Sequence, residues 1–144
     1  MPISQNLRFN ATVQEDTESE HPLGASLMRR LSSELAAAGW SNDEMTNWRD
    51  CGWSVVCHRG ASELQTVVSW VVRGYWMLQI SPHRAPGSIG RLLGAHPSAT
   101  PTDVHQLAIA VHRALSTLQY LGSAQWRWDA FPVEMHSTPE PQPA

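Results

Sequence analysis

Seven histidines and two cysteines are the residues of this chain with the widest chemical reach, and their spacing limits what they can do. His105 and His112 lie seven apart. On a helix that places them two turns apart on one face, about 10 Å from each other, too far to share one metal ion. Zinc ligands on a helix are normally three or four residues apart. Cys57 and His58 are adjacent, and adjacent side chains on a strand point to opposite faces. Cys51 and Cys57 on one extended strand would be ~20 Å apart, whereas a disulfide needs Cα atoms within roughly 7 Å. Both are read as thiols, and no metal or cofactor is expected.

Nucleophilic and acid–base chemistry find no better footing. The sequence has no Gly-x-Ser-x-Gly elbow, and Cys57 falls in a strand rather than at a helix N-terminus that would stabilise a thiolate. Gly87, Gly90 and Gly94 are followed by no Lys-Ser or Lys-Thr pair, so they make no phosphate loop. The acids of the central elements, Asp50, Glu63, Asp103 and Asp129, are scattered, whereas general acid–base catalysis needs convergent groups. The chain is therefore expected not to be an enzyme. An enzymatic reading would require His105, His112, Cys57 or Asp50 to meet within hydrogen-bond reach.

Tryptophan is the residue in excess, with seven in 144 residues. Two clusters join it to arginine and an acid: Trp48, Arg49, Asp50 and Trp53, then Trp126, Arg127, Trp128 and Asp129. Trp, Tyr and Arg are enriched at binding hot spots. The plainer reading is that these indoles plug the ends of the core while the arginines pair with neighbouring acids. A domain of this length buries roughly two thirds of its unfolded surface, and each indole can hide ~200 Å². Part of the aromatic surface is thus expected to face a protein partner or a second copy.

Composition narrows the classes further. Net charge is −3, and all ten basic residues are arginine, as a GC-rich bacterial genome would encode. Arginine also suits carboxylates and aromatic faces. No basic cluster exceeds the pair Arg29 and Arg30, so no nucleic-acid partner is expected. Met1-Pro2-Ile3-Ser4-Gln5 lacks the basic flank and apolar run of a secretion signal, and no segment approaches the ~20 apolar residues that span a bilayer. A soluble cytoplasmic protein without membrane contact is the expectation.

The elements follow from periodicity. Leu7, Phe9, Ala11 and Val13 alternate as in a strand, and residues 14–21 form an acidic connector. Pro22 opens a helix whose Leu23, Leu27, Leu31 and Leu35 make a buried stripe and which Gly39 ends in a left-handed conformation. Period-two strands at 53–58, 64–72 and 75–80, punctuated by Arg59-Gly60 and Arg73-Gly74, form an antiparallel meander. Residues 82–100 are a Gly- and Pro-rich connector. Thr100-Pro101-Thr102-Asp103 starts a second helix with Val104, Leu107, Ala108, Val111, Leu115 and Leu118 inward and Gly122 at its end. Residues 125–128 add a short edge strand. The predicted fold is α+β: one domain over 1–134, an antiparallel sheet of three to five strands, two helices on one face, and order β-α-β-β-β-α with a final strand. Residues 135–144 read as a disordered Pro-rich tail.

If both hairpin loops are even, Cys51, Trp53, Val55, Cys57, Leu64, Val68, Trp70, Val72, Tyr75 and Met77 share the core face. Val67, Val71, Trp76, Leu78 and Ile80 then lie on the opposite face, uncovered, with Trp126, Arg127 and Trp128 at its edge. Apolar surface beyond what two helices cover predicts a protein-binding or self-associating module. Size, acidity and element order are similar to small bacterial adaptor, immunity and secretion-chaperone proteins, a likeness of fold level only. The alternative is a small-molecule binder with an aromatic pocket between the second helix and the sheet, near Trp53, Trp70 and His105.

Overall fold

A computed structural model describes residues 4–11, 22–72, 74–83, 99–129 and 136–144. Its elements are β1 (Gln5–Asn10), α1 (Ala25–Ala37), β2 (Ser41–Asn42), β3 (Thr46–Trp48), β4 (Gly52–Arg59), β5 (Ser62–Val72), β6 (Tyr75–Pro82), α2 (Pro101–Thr117) and β7 (Gly122–Trp128). The α+β class holds, but among the described residues the sheet has seven strands rather than three to five. It is antiparallel throughout, in the order β2-β4-β5-β6-β1-β7, with β3 also paired to β4. The acidic connector at 14–21 and residues 84–98 lie outside the described residues.

Local chemistry sets the helix ends. Thr100 caps α2 in a full capping box: its hydroxyl accepts from the Asp103 amide while the Asp103 carboxylate accepts from the Thr100 amide. Gly39 follows α1 at φ +100°, and the Trp40 and Gly39 amides close on the carbonyls of Leu35 and Ala36. This Schellman closure delivers Trp40 onto the helix end. The same closure ends α2, with Gln119 in the left-handed position. Gly122, expected to stop that helix, instead begins β7. At the other end, α1 starts at Ala25 rather than at Pro22, so Leu23 falls outside the stripe and is 38 % exposed.

Both helices pack on one face of the sheet. Leu27, Met28, Leu31 and Leu35 of α1 and Val104, Leu107, Ala108, Val111 and Leu115 of α2 enclose a core with Leu7, Phe9, Val55, Cys57, Leu64, Val68, Trp76, Leu78, Ile80 and Trp126. Trp76, Leu78 and Ile80 thus lie beneath the helices, not on the opposite face. The cause is one extra residue in β5. Trp70 pairs with Trp76 while Val72 pairs with Tyr75, leaving Val71 as a bulge. Two residues of one strand opposite one of the other shift every later side chain across the sheet. The opposite face carries Arg8, Glu63, Gln65, Ser69, Gln79 and Gln125, with Val56, Val67 and Met77 among them.

Candidate functional site

The hairpin end exposes what the sequence places inside. Trp70, Val71, Val72 and Tyr75 at the β5–β6 hairpin tip are 42–55 % exposed, and among the described residues they are, with Leu23, the large apolar residues most open to water. Leu23 belongs to the same end of the molecule, because a Cβ on its neighbour Gly24 would sit 2.9 Å from the Trp76 ring. Trp70, Val72 and Tyr75 were expected in the core. Only Val71, of the five sheet residues proposed to meet a partner, stands open, since Val67 is buried as well. Sequence reasoning missed the tip because Trp70-Val71-Val72 and Tyr75-Trp76-Met77 are apolar at both parities. Such a run carries no register signal.

A second feature lies between the helices. A groove of about 370 Å³ is lined by Glu34, Ala38, Trp40, Arg59, Gln106, Ile109, Ala110, Arg113, Ala114 and Thr117. The Arg59 guanidinium stacks 4.4 Å from the Trp40 ring centroid and donates to Gln106 Oε1. The Trp40 indole Nε1 is buried with no acceptor, an unmet polar group that native interiors rarely leave.

The sequence-derived pocket of Trp53, Trp70 and His105 does not form. Trp53 donates to the Pro22 carbonyl at 2.8 Å, near the exposed tip. His105 is two residues from Asp103, which bonds Ser62 at the far end of β5. Eight residues of strand separate Ser62 from Trp70, ~26 Å at the usual rise.

At the sheet edge, Trp126 is 1 % exposed, and its indole donates to His112 Nδ1 at 3.0 Å. The expectation that its ring faces a partner is therefore corrected: α2 covers it. The half-buried Trp128 donates instead to the Gln142 carbonyl at 2.9 Å, while the Arg127 Nε donates to the Trp128 carbonyl at 3.2 Å. Residues 136–144, whose composition predicts disorder, are placed along this edge, with Thr138 bridged to Trp126.

The groups with chemical reach stay apart. Cys57 is buried, and its thiol is pushed up to about 11 by burial, against a Thr66 hydrogen bond that lowers it and with the Asp43 charge adding to the rise. A thiol so held is a poor nucleophile. Cys51 is exposed in the β3–β4 turn, where Asp50 is tied to Asn47. His58 lies on the face opposite Cys57, its Nε2 3.0 Å from Asp43 and its Nδ1 3.8 Å from Glu63. Burial lowers the pKa of His105 and of His112, the latter against an upward pull from Glu140. Among the described residues no three His, Cys, Asp or Glu side chains group as metal ligands, and no helix is long and apolar enough to cross a membrane. No family model and no curated protein matches the chain.

Proposed function

We propose that this chain is a non-enzymatic bacterial protein-binding module that docks a partner protein through the β5–β6 hairpin tip. The observation that carries this reading is the gathering of Trp70, Val71, Val72 and Tyr75, each at least 42 % exposed, at one end of the sheet. Scattered exposed apolar residues need no explanation, but a cluster built of aromatic and β-branched side chains does. Adaptor, immunity and chaperone-like roles in the cytoplasm share this requirement. The test compares the wild-type chain with the double variant Trp70→Ser, Val72→Thr in quantitative pull-downs, alongside urea unfolding. The variant should lose the partner while its stability stays within about 1 kcal/mol of wild type, as exposed sites allow. Equal recovery of the same proteins by both chains argues against the tip.

One observation favours a second reading, a small-molecule site. The groove between α1 and α2 offers the free Trp40 indole N–H beside a stacked, preoriented guanidinium. That pairing suits a small organic anion with an apolar body. A Trp40→Phe variant that binds such an anion as well as wild type removes this reading.

A further inference from the structure

The outer edge of β7 is occupied by the chain itself, and by very few bonds. In an antiparallel strand alternate residues turn both backbone groups to the same side. Trp126 pairs across β1 with Leu7, and its amide and carbonyl turn the other way, toward Thr138. The Trp126 amide donates to the Thr138 carbonyl at 2.7 Å, and the Thr138 amide donates to the Trp126 carbonyl at 2.9 Å. The chain bends at Pro139 and Glu140, so the pairing ends at this single bridge.

Four residues on, two side chains close on one atom. The Gln142 carbonyl accepts from Gln5 Nε2 at 3.0 Å and from the Trp128 indole at 2.9 Å. An indole N–H donating to a peptide carbonyl flanked by prolines (Pro141 and Pro143) is chemistry by which aromatic-lined sites read proline-containing segments. Each proline fixes its own φ, so less order is lost on docking. The slot is also under-used: Gln5 Oε1 is buried beside it with no hydrogen-bond partner.

We propose that the outer edge of β7, with Gln5 and Trp128, is a recognition site for proline-containing peptide segments of another protein that bend back along the edge, held in cis by residues 136–144. A partner segment places one residue against Trp126, bends, and sets a carbonyl four residues later between Gln5 and Trp128, displacing residues 136–144. The core contains no residue of 136–144, so the occupant is replaceable without dismantling the fold. This inference stands on the β7 edge alone, independent of the hairpin tip.

The test uses a chain ending at residue 135 and a synthetic nonapeptide, His-Ser-Thr-Pro-Glu-Pro-Gln-Pro-Ala, corresponding to 136–144. A tethered segment acts at roughly millimolar effective concentration. The truncated chain should therefore bind the free peptide, returning the Trp128 indole resonance to its position in the full chain. The full-length chain should bind it at least tenfold more weakly. Trp128→Phe in the truncated chain should weaken binding about threefold to tenfold, as loss of one hydrogen bond does. Thr138→Pro in the full-length chain removes the bridging amide and should open the edge, giving binding like that of the truncated chain. No binding by either opened chain, or equal binding by the full-length chain, overturns the proposal. So does unfolding of both opened chains, since the segment would then belong to the fold.

Discussion

Replacing Trp126 by Phe separates a core indole from an edge indole and puts a number on the difference. Phe keeps one ring and forfeits the pyrrole edge, about 45 Å² of buried apolar surface, or ~1 kcal/mol at 25 cal/mol per Å². The packing around the ring is tight: Leu7 and Leu115 are fully buried and Trp126 is 1 % exposed. Incomplete collapse of the space left behind adds ~1 kcal/mol. Loss of the donor to His112 Nδ1 adds ~1 kcal/mol. The expected cost is about 3 kcal/mol, a large fraction of the 5–15 kcal/mol typical of a domain. Urea unfolding followed by far-ultraviolet circular dichroism measures it without relying on the indole that is removed. Trp128→Phe is the matched control: its ring is half-buried and its donor serves a single exposed carbonyl, so it should cost about 1 kcal/mol or less. Equal costs at the two positions would refute both the burial of Trp126 and the value assigned to its bond.

Three further outcomes are expected. With a thiol reagent near pH 8, Cys51 should react at once and Cys57 only on unfolding, because one is exposed and the other is buried with its pKa near 11; prompt modification of both would contradict the core position of β4. Burial holds His112 and His105 below the ordinary value of 6.5, so the unfolded chain binds the protons more readily. Stability from these groups is complete above about pH 6.5 and is lost as pH falls through their lower folded values, so urea midpoints should drop between about pH 7 and 5; His112→Gln should flatten part of that slope, and midpoints that rise on acidification would reverse the sign. Gly24→Ala should cost over ~2 kcal/mol and Gly60→Ala only ~1 kcal/mol, since both have positive φ but only Gly24 would drive a Cβ into the Trp76 ring; equal midpoints for the two would contradict that packing.

The helices were legible because their ends are written in side-chain chemistry. Thr100, Pro101 and Asp103 start one, and Gly39 closes the other, each with a hydrogen-bond reason visible in a few adjacent residues. The three long strands were legible from period-two runs. β2 and β3 were not, because Ser41-Asn42 and Thr46-Asn47-Trp48 are too short and polar to show any period. The Pro-rich segment 135–144 read as disordered because proline and polar residues dominate it and leave little to bury. An edge contact asks for less: one amide and carbonyl pair at Thr138 and one carbonyl at Gln142.

The candidate site hinged on a single residue, Val71. Composition requires seven indoles to be placed, and pairing across Arg73-Gly74 decides which of them the helices cover. Without the bulge, Tyr75 and Met77 would go inside and Trp76, Leu78 and Ile80 would face out. Trp70 shares the face of Val68 and Trp76 in either case and is exposed by its place at the hairpin end. With it, the three inner residues meet Leu27, Leu31 and Val111 in one core, and the surplus moves to the tip. The aromatic excess is therefore a property of the hairpin end and not of the sheet face. Two substitutions of the same kind should then part company. Trp76→Ser empties a core position and removes the donor to the Ala11 carbonyl, costing ~4 kcal/mol, as large-to-small core changes do. Trp70→Ser, six positions earlier by chain number and directly opposite in the sheet, should cost less than about 1 kcal/mol. Reversal of that order in urea unfolding would put the register of β6, and with it the hairpin-tip site, on the wrong face.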